Sequence, residues 1–147
     1  GLEIVADRDL LQQAVTNLIS NAISHTPRGA NIIVRAKGNQ FEAALSVEDT
    51  GVGIEAEDQT RIFDRFYRTT KPAPNDNSAT RLGLGLSIVK GIAELHGGWV
   101  SLESTKGKGT SVTMHLPLTA MSHRATQSEL GHASDGNVVS RSGTLLS

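Results

Sequence analysis

Two asparagines, Asn17 and Asn21, stand one helical turn apart within a stretch whose apolar residues recur every three to four positions, so their side chains project toward one place. Asparagine is a mediocre helix former, and two amides beside a stripe bound for the core call for partners. An amide oxygen is a hard ligand suited to magnesium, which keeps waters and phosphate oxygens in its shell. Further on, Asp49-Thr50-Gly51-Val52-Gly53 follows a strand pattern. Two glycines there let the backbone approach a flat ligand, while the carboxylate can accept from an amine. Leu82-Gly83-Leu84-Gly85-Leu86 runs directly into a helical pattern, which aims backbone amides and the positive end of a helix dipole at an anion such as a phosphate chain. Between these, Ile62-Phe63-Asp64-Arg65-Phe66-Tyr67-Arg68 sets aromatic rings beside arginines. The rings read most simply as core packing, with the guanidinium groups solvated.

The elements that must position these groups can be read from the same 147 residues. A short strand over residues 2–6 ends at Asp7, a helix N-cap. Leu11, Val15, Leu18 and Ala22 then mark a helix over residues 10–25, stopped by Thr26-Pro27-Arg28-Gly29. Strand patterns over 31–36 and 41–47 are joined by the turn Lys37-Gly38-Asn39-Gln40. A short helix over 57–63 precedes residues 69–80, which carry Pro72, Pro74 and several polar residues with almost nothing apolar and read as a mobile loop. A second long helix starts at Leu84 and closes at His96-Gly97-Gly98. Two last strands, 99–103 and 110–116, flank a turn over 104–109. The order predicts an α/β sandwich, with helices on one face of a mixed, mostly antiparallel sheet. Residues 1–118 form the domain, and 119–147, rich in Ser, Thr, Gly and His without period, read as a disordered tail.

Composition narrows the function classes. A net charge of -1 argues against a surface that tracks nucleic-acid phosphates. The absence of cysteine removes disulfides, thiolate metal sites and a cysteine nucleophile. No apolar run approaches the length of roughly 18 residues that a spanning helix needs, so no direct membrane insertion is expected. Aromatic residues make up only 3%, which leaves few rings on which a base could stack.

The four motifs occur together and in a fixed order. Asn17-Leu18-Ile19-Ser20-Asn21-Ala22 resembles the N box of sensor histidine kinases, Asp49-Thr50-Gly51-Val52-Gly53-Ile54 the G1 box, residues 62–68 the F box, and Gly83-Leu84-Gly85-Leu86-Ser87-Ile88-Val89-Lys90 the G2 box. The resemblance runs from about Leu2 to Leu118 and is to the catalytic ATP-binding domain of that family. It implies a Bergerat-type fold that binds ATP and Mg2+. By that resemblance Asn21 is the magnesium ligand, with Asn17 beside it near the phosphates. Asp49 accepts from the adenine amine, Gly51 and Gly53 admit the base, and Gly83 and Gly85 wrap the phosphate chain. His25, Ile54, Phe63, Leu84, Leu86 and Thr110 complete the nucleotide site, and Arg65 and Arg68 are candidates for phosphate-directed cations.

The implied reaction passes the γ-phosphoryl group to a histidine on a separate dimerisation and phosphoacceptor domain of the same parent protein, and then to the receiver domain of a response regulator. The implied setting is a cytoplasmic domain of a parent protein anchored in the bacterial inner membrane. None of His25, His96, His115, His123 and His132 sits in the family's acceptor setting, so capping, packing or a place in the tail is expected of them. Three positions depart from the family pattern: Ser24 where a basic residue is common, His25 in the place of an aromatic ring, and Arg81 where a glycine often opens the G2 box. Two rival readings remain open at this level. One is a chaperone-, topoisomerase- or mismatch-repair-type (GHKL) ATPase, whose water-activating glutamate would stand where this chain has Asn17; the other is a degenerate nucleotide-binding module. An amide has no basic lone pair at neutral pH, which disfavours hydrolysis and favours transfer to an external nucleophile.

Overall fold

The computed structural model describes residues 4–69 and 84–118. Helix α1 (Arg8–His25) starts where expected, because Asp7 accepts from the backbone N–H groups of Asp9 and Leu10 and so satisfies two donors that the first turn leaves open. Strands β1 (Ile32–Gly38) and β2 (Glu42–Asp49) form a hairpin, with Asn39 accepting from the N–H groups of Phe41 and Glu42. A one-turn helix α2 (Ala56–Gln59) is followed by α3 (Gly85–Leu95) and the hairpin of β3 (Trp99–Thr105) and β4 (Gly109–Pro117).

The four strands lie in the order β1-β2-β4-β3, and every neighbouring pair is antiparallel. Alternation decides the faces. On β4, Thr110, Val112, Met114 and Leu116 are buried, while Ser111, Thr113 and His115 turn outward. The inner face receives both long helices: Ala14, Leu18 and Ala22 of α1 and Leu86, Val89, Ile92 and Ala93 of α3 join Val47, Ile62, Val112, Met114 and Leu116 in one core. With few rings in the sequence, that core is aliphatic, and the fully buried alanines Ala14 and Ala93 keep the helix layer thin. On the outer face, at its β3 edge, Trp99 is half exposed and stacks on His115, with ring centroids 4.7 Å apart.

Two expectations meet a different local structure. Residues 4–6 make no strand, and the Asp7 N–H that follows them donates to the His96 ring at 3.1 Å; residues 2–3 lie outside the described part. The helix expected over 57–63 ends at Gln59 and continues as turns, with Ile62 N–H and Arg61 N–H both donating to the Asp58 carbonyl. Phe66, at φ 65, takes the left-handed conformation that ends any helical run there. The loop expected over 69–80 lies, from residue 70 on, outside the described residues, as do Arg81, Gly83 and the tail.

Candidate functional site

At the end of β2, Asp49 is half-buried and directly opposite Thr110 of β4. Its carboxylate accepts from the Gly51 N–H at 2.8 Å. Burial pushes the Asp49 carboxyl up from its ordinary value of 3.8, while backbone N–H bonds from Gly51 and Thr110 and the nearby His25 pull it partly back. A desolvated carboxylate with acceptor capacity to spare is what an amine-bearing ligand requires.

The glycines beside it have steric reasons to be glycine. A side chain on Gly51 would run into the His25 carbonyl oxygen and the Asp49 carboxylate. Gly53, at φ +66, lies against the Thr105 carbonyl. The loop between them is tied down at each end: Val52 N–H donates to the His25 carbonyl at 3.3 Å, and Gly107 N–H donates to the Val52 carbonyl at 2.8 Å. The C-terminus of α1 and the β3-β4 turn therefore hold the loop between them.

Ser104 is a residue that the motifs did not single out. Its hydroxyl donates to the Gly109 carbonyl at 3.0 Å and accepts from Ile54 N–H at 2.9 Å. With its one hydrogen committed, it can only accept from the Thr110 hydroxyl, 2.9 Å away, and Thr110 keeps lone pairs for a ligand. Gln59 adds a second tie, its amide nitrogen donating to the carbonyls of Ile54 and Ser104. The sequence hints at Ser104 only through its place before a glycine-bearing turn, and nothing beside Gln59 marks it.

The remaining candidates divide by environment. Asn17 and Asn21 are both half-buried on α1, and the Asn17 amide nitrogen is a buried donor with no hydrogen-bond partner among the described residues. Such a donor costs about 1–3 kcal/mol unless something fills it, and a phosphate oxygen would. Ile54 and Phe63 pack against the core, and Leu86 is buried within it, so these three shape the site from behind. Leu84 caps α3 without a side-chain hydrogen bond, and among the described residues nothing lies where a Cβ on Gly85 would sit. Arg65 and Arg68 are exposed on the turn after α2, with Arg65 5.7 Å from the Phe66 ring. Tyr67 is anchored there by a 2.5 Å bond to Asp58, which raises its phenol. Among the described residues no cluster of three or more His, Asp or Glu could hold a metal. An amide oxygen together with water and ligand phosphates is a donor set that suits magnesium.

The profile of the histidine kinase-, DNA gyrase B-, and HSP90-like ATPase family matches residues 6–120. The chain belongs to that family. Among relatives of this ATPase domain, the histidine protein kinase DivJ of Caulobacter vibrioides is 45% identical over 117 residues, covering 80% of this chain and 19% of DivJ. Two solved structures share the fold. The mycobacterial sensor histidine kinase MprB superposes with a TM-score of 0.68 at 29% identity, covering 78% of this chain and 76% of that one. Full-length ShkA in complex with AMPPNP gives 0.65 at 28% identity, over 78% of this chain and 22% of that one. The chain spans 16% to 25% of the length of the first curated sensor proteins it matches. The ATPase domain is thus of the sensor histidine kinase kind, with the Bergerat α/β sandwich expected from the motifs. Among the described residues no helix is long and apolar enough to cross a membrane.

Proposed function

We propose that this domain binds Mg-ATP and presents its γ-phosphoryl group to a histidine on a separate dimerisation and phosphoacceptor domain of the parent protein, from which the group moves to the receiver domain of a response regulator. The observation that carries the reading is the half-buried Asp49 carboxylate, which accepts from the Gly51 N–H and keeps acceptor capacity for an amine-bearing base. Asp49 accepts from the adenine amine, with Thr110 beside it. Asn17 fills its open donor on a phosphate oxygen, Asn21 supplies an oxygen to magnesium, and the start of α3, with Gly83 and Gly85, receives the phosphate chain. Magnesium, when bound, neutralises phosphate charge and orients the transferring group. Arg65 and Arg68 supply cationic charge from the turn that precedes residue 70. No carboxylate stands at position 17, so the domain holds no general base there for water, and transfer to an external imidazole is preferred. The parent protein is read as a membrane-anchored sensor with this domain on the cytoplasmic side.

The test is calorimetric titration of the chain with Mg-ATP, repeated with Asp49→Asn. The variant replaces a charged acceptor with a neutral amide; with a charged hydrogen bond worth about 1.5–3 kcal/mol, binding is expected to weaken about 10- to 150-fold. Equal affinity in the two proteins would remove Asp49 from the site. Rapid phosphate release by the isolated chain, lost in Asn17→Ala, would favour an ATPase instead.

A further inference from the structure

Far from Asp49, at the other end of the helix layer, the His96 ring joins two elements that are 89 residues apart in the chain. His96 follows the last residue of α3. Its Nδ1 lies 2.7 Å from the Ile92 carbonyl oxygen, and a carbonyl can only accept, so Nδ1 carries the hydrogen. Nε2 is then the acceptor, and it receives the Asp7 N–H at 3.1 Å. Asp7 has little freedom in this arrangement. Its carboxylate caps α1 and its carbonyl accepts from Leu11 N–H at 3.0 Å, so the ring takes the last polar group of a residue already fixed at the helix start.

The arrangement makes α1 and α3 antiparallel partners fastened at one end. The faces they bury in the core are apolar, with Ala14, Leu18 and Ala22 on α1 and Leu86, Val89 and Ala93 on α3. Apolar burial is non-directional and tolerates small slides, whereas a ring with one donor and one acceptor does not. The opposite ends of the same helices carry Asn21 on α1 and Gly85, where α3 starts. An 11-residue helix is about 16 Å long, so a small rotation at the fastened end becomes a displacement at the other.

We propose that His96 is a positioning residue for phosphate binding: by clamping the N-cap of α1 to the C-terminus of α3, it sets the register between the helix that bears Asn17 and Asn21 and the helix that begins at Gly85. The role rests on the proposed reading that the triphosphate lies between these helix ends. Two variants separate the long-range bond from the local one. His96→Gln places an amide oxygen near the position of Nε2 and keeps the bond to Asp7. His96→Asn keeps a donor for the Ile92 carbonyl but is too short for Asp7.

In the nucleotide-free chain, hydrogen exchange at the Ile88 and Val89 amides is expected to quicken ~10-fold in His96→Asn and to stay near the parent rate in His96→Gln. Mg-ATP affinity should follow the same order, ~10-fold weaker in the Asn variant, while affinity for adenosine changes less than about twofold. Equal exchange in the two variants would overturn the clamp, as would equal losses for adenosine and Mg-ATP. A parent chain that takes no Mg-ATP would retire the proposed function instead, and the exchange comparison would still decide the clamp.

Discussion

Asp49, the proposed adenine acceptor, sits where its ionisation works against the fold. Its carboxyl is held above 3.8 chiefly by burial, so ionising it costs more in the folded chain than in the unfolded one. The linkage has a definite sign: Asp49 contributes stability that is fully present below pH 3.8 and is lost as pH rises through its raised folded value. Asp49→Asn, which carries no such cost, is therefore expected to gain stability relative to the parent over that window and to hold the gain at neutral pH. Urea midpoints of the two proteins measured from pH 3 upward would check this, and a difference independent of pH would contradict it. On the proposed reading of the site, nucleotide binding should move the other way, since an adenine amine is better held by an ionised acceptor. The turn that Asp49 opens was legible in the sequence because a carboxylate directly before two spaced glycines is a local pattern, and its carboxylate does accept from the Gly51 N–H. The role of Ser104 was not legible, because its three partners come from the loop after β2 and from the start of β4, and no period in the chain announces such a meeting.

Among the elements, the loop after β2 shows how glycine spacing becomes geometry. Gly53 adopts a positive φ and has the Thr105 carbonyl where a Cβ would sit. Gly53→Ala is expected to destabilise the domain by about 1–3 kcal/mol, read as a lower denaturant midpoint, because left-handed strain and collision add. An unchanged midpoint would mean that the loop can shift away from the β3-β4 turn at no cost. The long helices and both hairpins could be read from period, caps and turn residues, to within a few residues at each end. The element that could not be read this way follows α2. Its apolar residues promised a longer helix, but Phe66 takes a left-handed conformation for which the sequence gives no glycine or asparagine as warning. Residues 4–6, the described part of the expected N-terminal strand, are not a strand, and the Asp7 N–H that follows them goes to a ring 89 residues away.

For the molecule as a whole, one aliphatic core stands between a two-helix layer and an antiparallel sheet, and its centre is narrow. Met114 is 1% exposed on the inner face of β4, which is flanked by both β2 and β3. Met114→Ala should cost about 2–5 kcal/mol, measurable by chemical denaturation, and a much smaller loss would show that the helices settle into the vacated space. The outer face of the same sheet has an optical consequence. The chain has a single tryptophan, Trp99, stacked on His115 five residues along β4 from Thr110. At a rise of about 3.4 Å per residue, that places the fluorophore about 17 Å from Thr110, at the proposed adenine end of the site, and on the opposite surface of the sheet. Its emission is then expected to stay flat during a titration that calorimetry records as binding. A spectral change on adding nucleotide would report motion transmitted through the sheet rather than a ring touching the base, so the domain carries its own detector for long-range response.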